Sequence, residues 1–546
     1  MASFLDFWGK ARPPEGAAAR WHPAACHGLD VAAVAEALLR AHPTAAQGIA
    51  KSCGWTTEAF IRAVVFLMAL HDIGKFSRPF QAKAPDHWPP ALGSYCNVSG
   101  PRHDELGLRL LLDGEIFVTL RRVFPGWADA PIKALLGAIA GHHGRPVECP
   151  PPPQAHIVCL PCLDAARAFA RAAADLLEPP PLGVPPKGTA VVASWWLAGI
   201  TTLCDWIGSA TQWFEYEGAA VTSLERYWPL AQQRALLAVT ESGLLPARPS
   251  LMQGLSGLMP HIETPTPMQA LAEALRLPEG AVSVIIEDAT GGGKTEAALL
   301  LAHRLIADGR ADGLFMALPT MATADAMFDR LAESYRRLFT PDARPSLALA
   351  HGRAALNDLF QGSILVKAAA GPEREAADAA DAASAQCAAW LAEERRRVFF
   401  AHVGVGTIDQ ALLAVLAARY GALRLFGLSR KVLIVDEAHA YDPYMSAELD
   451  RLLTFHAMLG GSSIILSATL PHNRRAALLN AIASGLNSTP HVPAASDYAF
   501  PAGAGMNRSG WLAVTVGVGV PRRRGDEPLV TIYGPVSDPR SPYARG

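Results

Sequence analysis

Apolar residues recur at helical spacing through the first 245 positions. Leu29–Leu39, Glu58–Leu70, Leu106–Leu112 and Pro131–Ile139 each set them three and four apart, the spacing that lines one face of an α-helix. Proline-rich breaks fall at residues 150–153 and 179–186. From about residue 260 the period changes. Val282–Ile286, Gly313–Ala317, Ser346–Ala350, Val432–Val435 and Ser463–Leu466 are short apolar runs, each followed by a polar or glycine turn and a helical stretch. That alternation predicts a parallel sheet wrapped by helices. The expected fold class is multidomain: an all-α domain over residues 1–245, then an α/β domain with a parallel sheet over 246–485. Residues 371–389, rich in alanine and acid, are expected to form an exposed helix or an insertion. Gly, Pro, Ser and Asn dominate after 485, and an irregular tail is expected over 486–546.

Composition narrows the class. A chain of 546 residues fits about three domains at roughly 100–200 residues each. Half of it is hydrophobic and 18% is charged, which excludes a disordered chain because apolar burial offsets chain entropy. With 48 Lys+Arg against 50 Asp+Glu, a uniformly basic protein is excluded; nucleic acid would need a locally basic groove. Residues 1–20 carry Asp6 and Lys10 and no apolar core, so no secretory signal is visible. The strongest apolar run, Ala63–Leu70, falls short of the ~20 residues that cross a bilayer. A soluble cytoplasmic protein with no membrane partner is expected. Cys149, His156, Cys159 and Cys162 lie close enough in sequence to hold zinc, but no second CxxC pair accompanies them. Free thiols in a loop are expected there.

Two constellations carry chemistry. The string His71-Asp72-Ile73-Gly74-Lys75 closes an apolar helix, and adjacent His and Asp at a helix end aim an imidazole and a carboxylate at one point. His27, His103, the pair His142-His143 and Asp205 lie in helical surroundings around it. Asp205 follows both proline-rich breaks, so neither break is taken as a domain boundary. Imidazoles with a few carboxylates suit Mn, Fe, Co, Ni or Zn better than Mg alone. A carboxylate bridging two ions about 4 Å apart would clamp the attacking and leaving oxygens of a phosphodiester.

The second constellation begins where Val282–Ile286 runs into Glu-Asp-Ala-Thr-Gly-Gly-Gly-Lys-Thr and an Ala/Leu helix. A strand, a glycine loop and a helix N-terminus gather backbone N–H groups and the helix dipole around phosphates. The loop residues Thr290, Gly291, Gly292, Gly293, Lys294 and Thr295 are candidates for ATP binding. Lys294 would reach the β- and γ-phosphates and Thr295 would ligate Mg²⁺. Asp288 stands where the general pattern has its first glycine. Val432–Val435 delivers Asp436-Glu437-Ala438-His439 at a strand end. Asp436 would share the Mg²⁺, and Glu437 would orient and deprotonate the attacking water. Ser467-Ala468-Thr469 follows the next strand. Arg395–Arg397 reads as a solvated face.

HDIGKF, preceded by WHP and HGLDVAAVA and followed by RHDE, GHHG and DWIGS, resembles the HD-type nuclease domain of the CRISPR-associated nuclease-helicases of type I systems. The glycine loop, DEAH and SAT resemble the first, RecA-like lobe of superfamily 2 helicases, in which the departure at Asp288 is tolerated. Together they make the chain similar to the nuclease-helicase family over about residues 7–475. The resemblance implies that His27, His71, Asp72 and Asp205 hold one divalent transition-metal ion. Asp72, His103, His142 and His143 would hold a second, with Asp72 bridging. Lys75 would sit near the scissile phosphate, and Ser209 would contact nucleic acid. His71, Asp72, Lys75 and Glu437 are thus the implied catalytic residues. Gln269 would read adenine, Pro319, Thr320, Thr407 and Gln410 would touch the strand through short phosphate-binding loops, and Ser467 and Thr469 would couple nucleotide state to it. Mg-ATP, 3′ to 5′ unwinding, a single-stranded DNA substrate and an RNA-guided surveillance complex as partner are implied too, with sequence choice left to guide pairing.

One departure is large. Only residues 470–546 follow Thr469, no second-lobe arginine motif is found, and Arg522–Arg524 lack its spacing. An arginine finger contributes about 10³–10⁵ in rate, so near-basal ATP turnover and no autonomous translocation are expected. The second lobe would be absent or supplied by a separate polypeptide. A phosphohydrolase acting on nucleotides and a non-catalytic adaptor remain alternative readings.

Overall fold

The computed structural model describes residues 3–350 and 398–486, apart from positions 14, 145–146, 148, 252–253, 289, 417 and 419, together with strands at 504–506, 511–517 and 529–535. Residues 371–389, Arg395–Arg397 and Arg522–Arg524 lie outside the described residues. The chain divides into two compact units, Met1–Leu245 with Ala417–Phe426, and Pro246–Leu416 with Gly427–Gly546.

The first unit is helical apart from a two-stranded ribbon, β1 (Trp8–Lys10) and β2 (His22–Pro23). Its principal helices are α1 (Ala24–Ala41), α2 (Thr57–Ala69), α3 (His103–Leu111), α4 (Asp129–Ala140), α5 (Leu160–Leu177), α6 (Thr189–Gly208) and α7 (Leu224–Glu241). Helix α1 is rich in alanine and is buried along most of its length, packed by α2, α6 and α7. A helix apolar on every side has no face to give to water and becomes the centre of its unit. Two glycines set the spacing around it. A Cβ on Gly28 would collide with the Ala69 carbonyl, and one on Gly74 with the His103 carbonyl. The backbones of α1 and α3 therefore touch the end of α2 directly. Helix α6 is long and apolar enough to cross a membrane by length and composition, and 61% of that stretch is buried within the structure, as in a core helix. Tyr420, from the 417–426 segment, donates its N–H to the Gly144 carbonyl at 2.8 Å, and Phe426 meets Trp196 edge to face.

The second unit is built on one sheet, in the order β5-β6-β4-β7-β8-β3-β11-β10-β9. The strands are β3 (Ser283–Glu287), β4 (Leu314–Leu318), β5 (Leu347–Ala350), β6 (Val403–Thr407), β7 (Val432–Val435), β8 (Ser463–Ser467), β9 (Ala504–Met506), β10 (Trp511–Gly517) and β11 (Leu529–Pro535). From β5 to β3 all neighbours are parallel. Every residue of β3, β4, β6, β7 and β8 is buried, which is why most of them read as continuous apolar runs. Helices α8 (Pro267–Ala274), α9 (Lys294–Ala307), α10 (Met321–Ala332), α11 (Pro443–Met458) and α12 (His472–Gly485) accompany the sheet.

Four strands differ from the sequence reading. Strand β6 (VGVGT) was expected only as a loop motif; its glycines disguise it, and Gly404 leaves the space into which Phe315 packs. The irregular tail expected over 486–546 does not hold at β9, β10 and β11. WLAVTVG and LVTIYGP are rich in β-branched and aromatic residues, and β11 pairs antiparallel with β3, Val530 opposite Ile286. The surrounding Gly and Pro had masked that signal.

Gly74→Ala is expected to cost about 1–3 kcal/mol, as overpacking does, because the obstacle is backbone and cannot turn aside. Gly137→Ala, in the open interior of α4, should be neutral or stabilising. Urea unfolding midpoints followed by tryptophan fluorescence check both; equal midpoints would show that the Gly74 contact is not tight.

Candidate metal centre and nucleotide-binding loop

Helix α2 ends at Ala69 with Leu70 as its cap, and the turn that follows presents His71 and Asp72 before a 3-10 turn, Ile73–Lys75. The Gly74 contact brings the start of α3, and so His103, to the same place. Helix α1 contributes His27, the end of α4 leads to His142 and His143, and α6 contributes Asp205 near its C-terminus. Ligand atoms of His27, His71, Asp72 and Asp205 all lie within 4.8 Å of one another, and so do those of His103, His142 and His143.

Asp72 divides the two groups. Its Oδ2 is 3.2 Å from His27 Nε2 and 3.4 Å from His71 Nε2. Its Oδ1 is 3.4 Å from both His103 Nε2 and His142 Nε2. Asp205 Oδ1 closes the first group at 3.3 Å from His27 and 3.6 Å from His71. His143 Nε2 lies 3.0 Å from His103 Nε2 in the second. Lys75 Nζ is 2.5 Å from Asp72 Oδ2.

The donor set fits divalent ions. His71 Nδ1 is bonded to the Met68 carbonyl at 2.8 Å, which makes it a donor nitrogen and turns Nε2 toward the carboxylates. That Nε2 and Asp72 Oδ1 are buried without a hydrogen-bond partner. Orphaned buried acceptors cost energy unless a cation or donor meets them. Burial, aided by Lys10 and Lys75, pushes His27 down to about 4. Burial is the main cause that lowers His142 to about 4 and His103 to about 3, with neighbouring imidazoles adding to both and Lys75 to His103, so both imidazoles are neutral at neutral pH. For His71, burial is outweighed by Asp72 and Asp205, which raise it to about 9, so without an ion its Nε2 holds a proton at neutral pH, whose place a bound cation would take. Both carboxyls are held well below the usual range: burial opposes this, and Lys75 and the imidazoles around Asp72, and His27 and His71 beside Asp205, overcome it.

Several residues that support this centre were not found from sequence. Lys10 is half-buried, donates to the Gly208 carbonyl at 3.0 Å, and is pushed down to about 8, chiefly by desolvation and then by Lys75. Thr202 Oγ1 donates to the His142 carbonyl at 3.0 Å, fastening the GHHG turn to α6. Gln81 holds the Lys75 carbonyl at 2.9 Å. Each contact spans residues far apart or lacks a motif, so only the fold reveals it. Ser209, expected at nucleic acid, donates its hydroxyl to Asp205 Oδ1 at 3.1 Å.

Cys149, His156, Cys159 and Cys162 do not form a metal-holding group among the described residues. Cys149 is exposed, and Cys159 and Cys162 start helix α5 instead of lying in a loop.

In the second unit the C-terminal ends of β7, β8 and β3 lie side by side, because those strands are parallel neighbours. The glycine loop leaves β3 there. Gly291 and Gly293 have φ of 85° and 88°, conformations that glycine alone adopts readily. Lys294 Nζ donates to the Asp288 carbonyl at 2.6 Å, and Thr266 Oγ1 donates to the Gly292 carbonyl at 3.0 Å. Gln269 completes a capping box with Thr266, and its amide stands where a Cβ on Gly293 would need to be. It braces the loop. Asp436 follows β7 and accepts from Glu437 N–H at 2.9 Å. Burial, with the Glu437 charge, lifts the Asp436 carboxyl above its ordinary value. Glu437 has φ of 50°, and such non-glycine strain gathers at functional sites. His439 Nδ1 meets Ser467 Oγ at 3.0 Å, and Ser467 Oγ donates to the Thr469 carbonyl at 3.0 Å, so DEAH and SAT are in direct contact. A buried ion pair that carried no sequence signal, Glu287 with Arg475 at 2.6 Å, ties β3 to α12. Pro319 and Thr320 follow β4, and Thr407 and Gln410 lie at the end of β6, on the same edge of the sheet.

Residues 8–214 match the family model described as Cas3, HD domain. The CRISPR-associated endonuclease/helicase Cas3 of Escherichia coli K12 is 32% identical over 515 residues, 89% of this chain and 56% of that protein. The crystal structure of T. fusca Cas3-AMPPNP matches with a TM-score of 0.70 and 31% identity over 89% of this chain and 52% of that one. A chain of a CRISPR RNA-guided surveillance complex, pre-nicking, matches with a TM-score of 0.60 and 27% identity, over 90% of this chain and 51% of that one. The chain spans about half the length of the curated relatives it matches.

Proposed function

Residues 8–214 belong to the Cas3 HD-domain family and run on into a helicase-type α/β domain, and on that premise we propose a metal-dependent nuclease for single-stranded DNA joined to an ATP-binding motor domain. The proposal assigns residues 1–245 to the nuclease and 246–485 to the first, RecA-like motor lobe. The observation that carries it is Asp72, whose two oxygens each face a different group of imidazoles.

His27, His71, Asp72 and Asp205 would hold one ion, and Asp72, His103, His142 and His143 the other. Imidazole-rich sites favour Mn, Fe, Co or Ni over Mg alone. Bound there, such ions would supply an activated hydroxide and offset charge on a phosphodiester. The chain does the positioning. Met68 fixes the His71 tautomer, Ser209 holds Asp205, and Lys75 adds a cation for a phosphate oxygen. In the motor domain Lys294 and Thr295 would take the phosphates and Mg²⁺ of ATP. Glu437 would orient and deprotonate water, and the His439–Ser467 contact would pass nucleotide state to the strand loops at Pro319, Thr320, Thr407 and Gln410. Likeness to T. fusca Cas3-AMPPNP and to a surveillance-complex chain supports ATP as ligand and an RNA-guided complex as partner. Sequence choice then rests with guide pairing.

With Mn²⁺ and no ATP, the purified protein is expected to cut a fluorescent single-stranded oligonucleotide. His71→Ala and Asp72→Ala should each lower that rate by at least about 100-fold, the upper end of what loss of a supporting partner alone costs. Undiminished cleavage by the Asp72 variant would remove the assignment, and hydrolysis of nucleotides in place of DNA would move the site to the phosphohydrolases. Lys294→Ala should abolish binding of a fluorescent ATP analogue while leaving ATP-free cleavage unchanged. Equal loss of both would contradict two independent sites.

A further inference from the structure

Cys159-Leu160-Pro161-Cys162 opens an 18-residue helix, α5. Cys159 occupies the capping position with extended dihedrals, Pro161 lies in the first turn, and Cys162 is the third helical residue. Their Sγ atoms are 3.2 Å apart, with Cys159 half-buried and Cys162 fully buried. A disulfide needs about 2.05 Å between sulfurs, so about 1 Å of closure remains, within reach of side-chain rotation. The other described cysteines stand differently. Cys26, Cys53 and Cys204 are buried, Cys96 is half-buried and Cys149 is exposed.

The two thiols are unequal. A hydrogen bond from Cys162, together with backbone N–H groups of the first turn and Arg78, holds Cys159 below the ordinary thiol value. Cys162 is raised, first by its bond to Cys159 and then by burial. An accessible sulfur at a helix N-terminus with a buried partner three residues on is the division between an attacking and a resolving cysteine. The pair flanks the metal-centre segment, for Arg78 N–H donates to the Ile157 carbonyl at 3.1 Å.

We infer that Cys159 and Cys162 form a thiol–disulfide exchange site that takes small-molecule disulfides as oxidant. Cys159 thiolate attacks one sulfur of the disulfide, forming a mixed disulfide and releasing one thiolate. Cys162 then loses its proton and attacks the Cys159 sulfur, closing the intramolecular bond and releasing the second thiolate. Two electrons pass from the pair to the small molecule, which leaves as two thiols.

The full chain would be treated with oxidised glutathione, alkylated with iodoacetamide and analysed by fragment-ion mass spectrometry. In the wild type, Cys159 and Cys162 are expected to lose both thiols with no glutathione retained on either. Cys162→Ser should trap glutathione on Cys159, and Cys159→Ser should leave Cys162 unmodified. At pH 7 without oxidant, Cys159 should alkylate at least about tenfold faster than free cysteine, as a larger thiolate fraction dictates. Wild-type protein that keeps both thiols, or that holds glutathione on Cys159 beside a free Cys162, would overturn the inference. The wild-type result decides the question even where a serine variant does not fold.

Discussion

A carboxylate buried among imidazoles sets the terms for the first unit. Asp72 is 5% exposed, and an isolated charge there would be strongly disfavoured. It is stable because Lys75 and the imidazoles converge on it, and convergence constrains every element that carries one of them. Gly28 and Gly74 have no side chain because α1 and α3 must approach the end of α2 to backbone distance. The Ser209 hydroxyl then holds the carboxylate that α6 brings in, and the Thr202 hydroxyl the turn that follows α4. Packing and chemistry are the same requirement here.

The glycine loop after β3 follows another logic, in which backbone shape carries most of the load. Gly291 and Gly293 adopt positive φ so that the loop can curl at the end of β3. Thr266 and Gln269 hold it from a neighbouring helix start. Glu437 bears strain at the end of β7, while His439 and Ser467 bridge adjacent strand ends. The parallel order β7-β8-β3 makes these contacts possible, since it aligns three strand ends on one edge.

Much of this was legible from sequence because the signals are local. Helical period placed α1, α2, α3 and α4, which lie beside His27, His71, His103 and His142, and apolar runs placed β3, β4, β5, β7 and β8. What escaped was either long-range or disguised. Lys10 meets Gly208 across most of the first unit, and Arg475 meets Glu287 across the second; neither pairing leaves a trace in spacing. Strand β6 hid behind its glycines, and β9, β10 and β11 behind a Gly/Pro-rich setting. Gln269 carried a motif, yet its side chain proves to be part of a helix cap as well.

Crystals soaked in Mn²⁺ and measured at the manganese edge would test the bridging role of Asp72 most directly. Two anomalous peaks are expected, one on each side of Asp72 and about 4 Å apart, the separation of two-ion phosphodiester sites. A single peak, or two peaks that do not share that carboxylate, would contradict it.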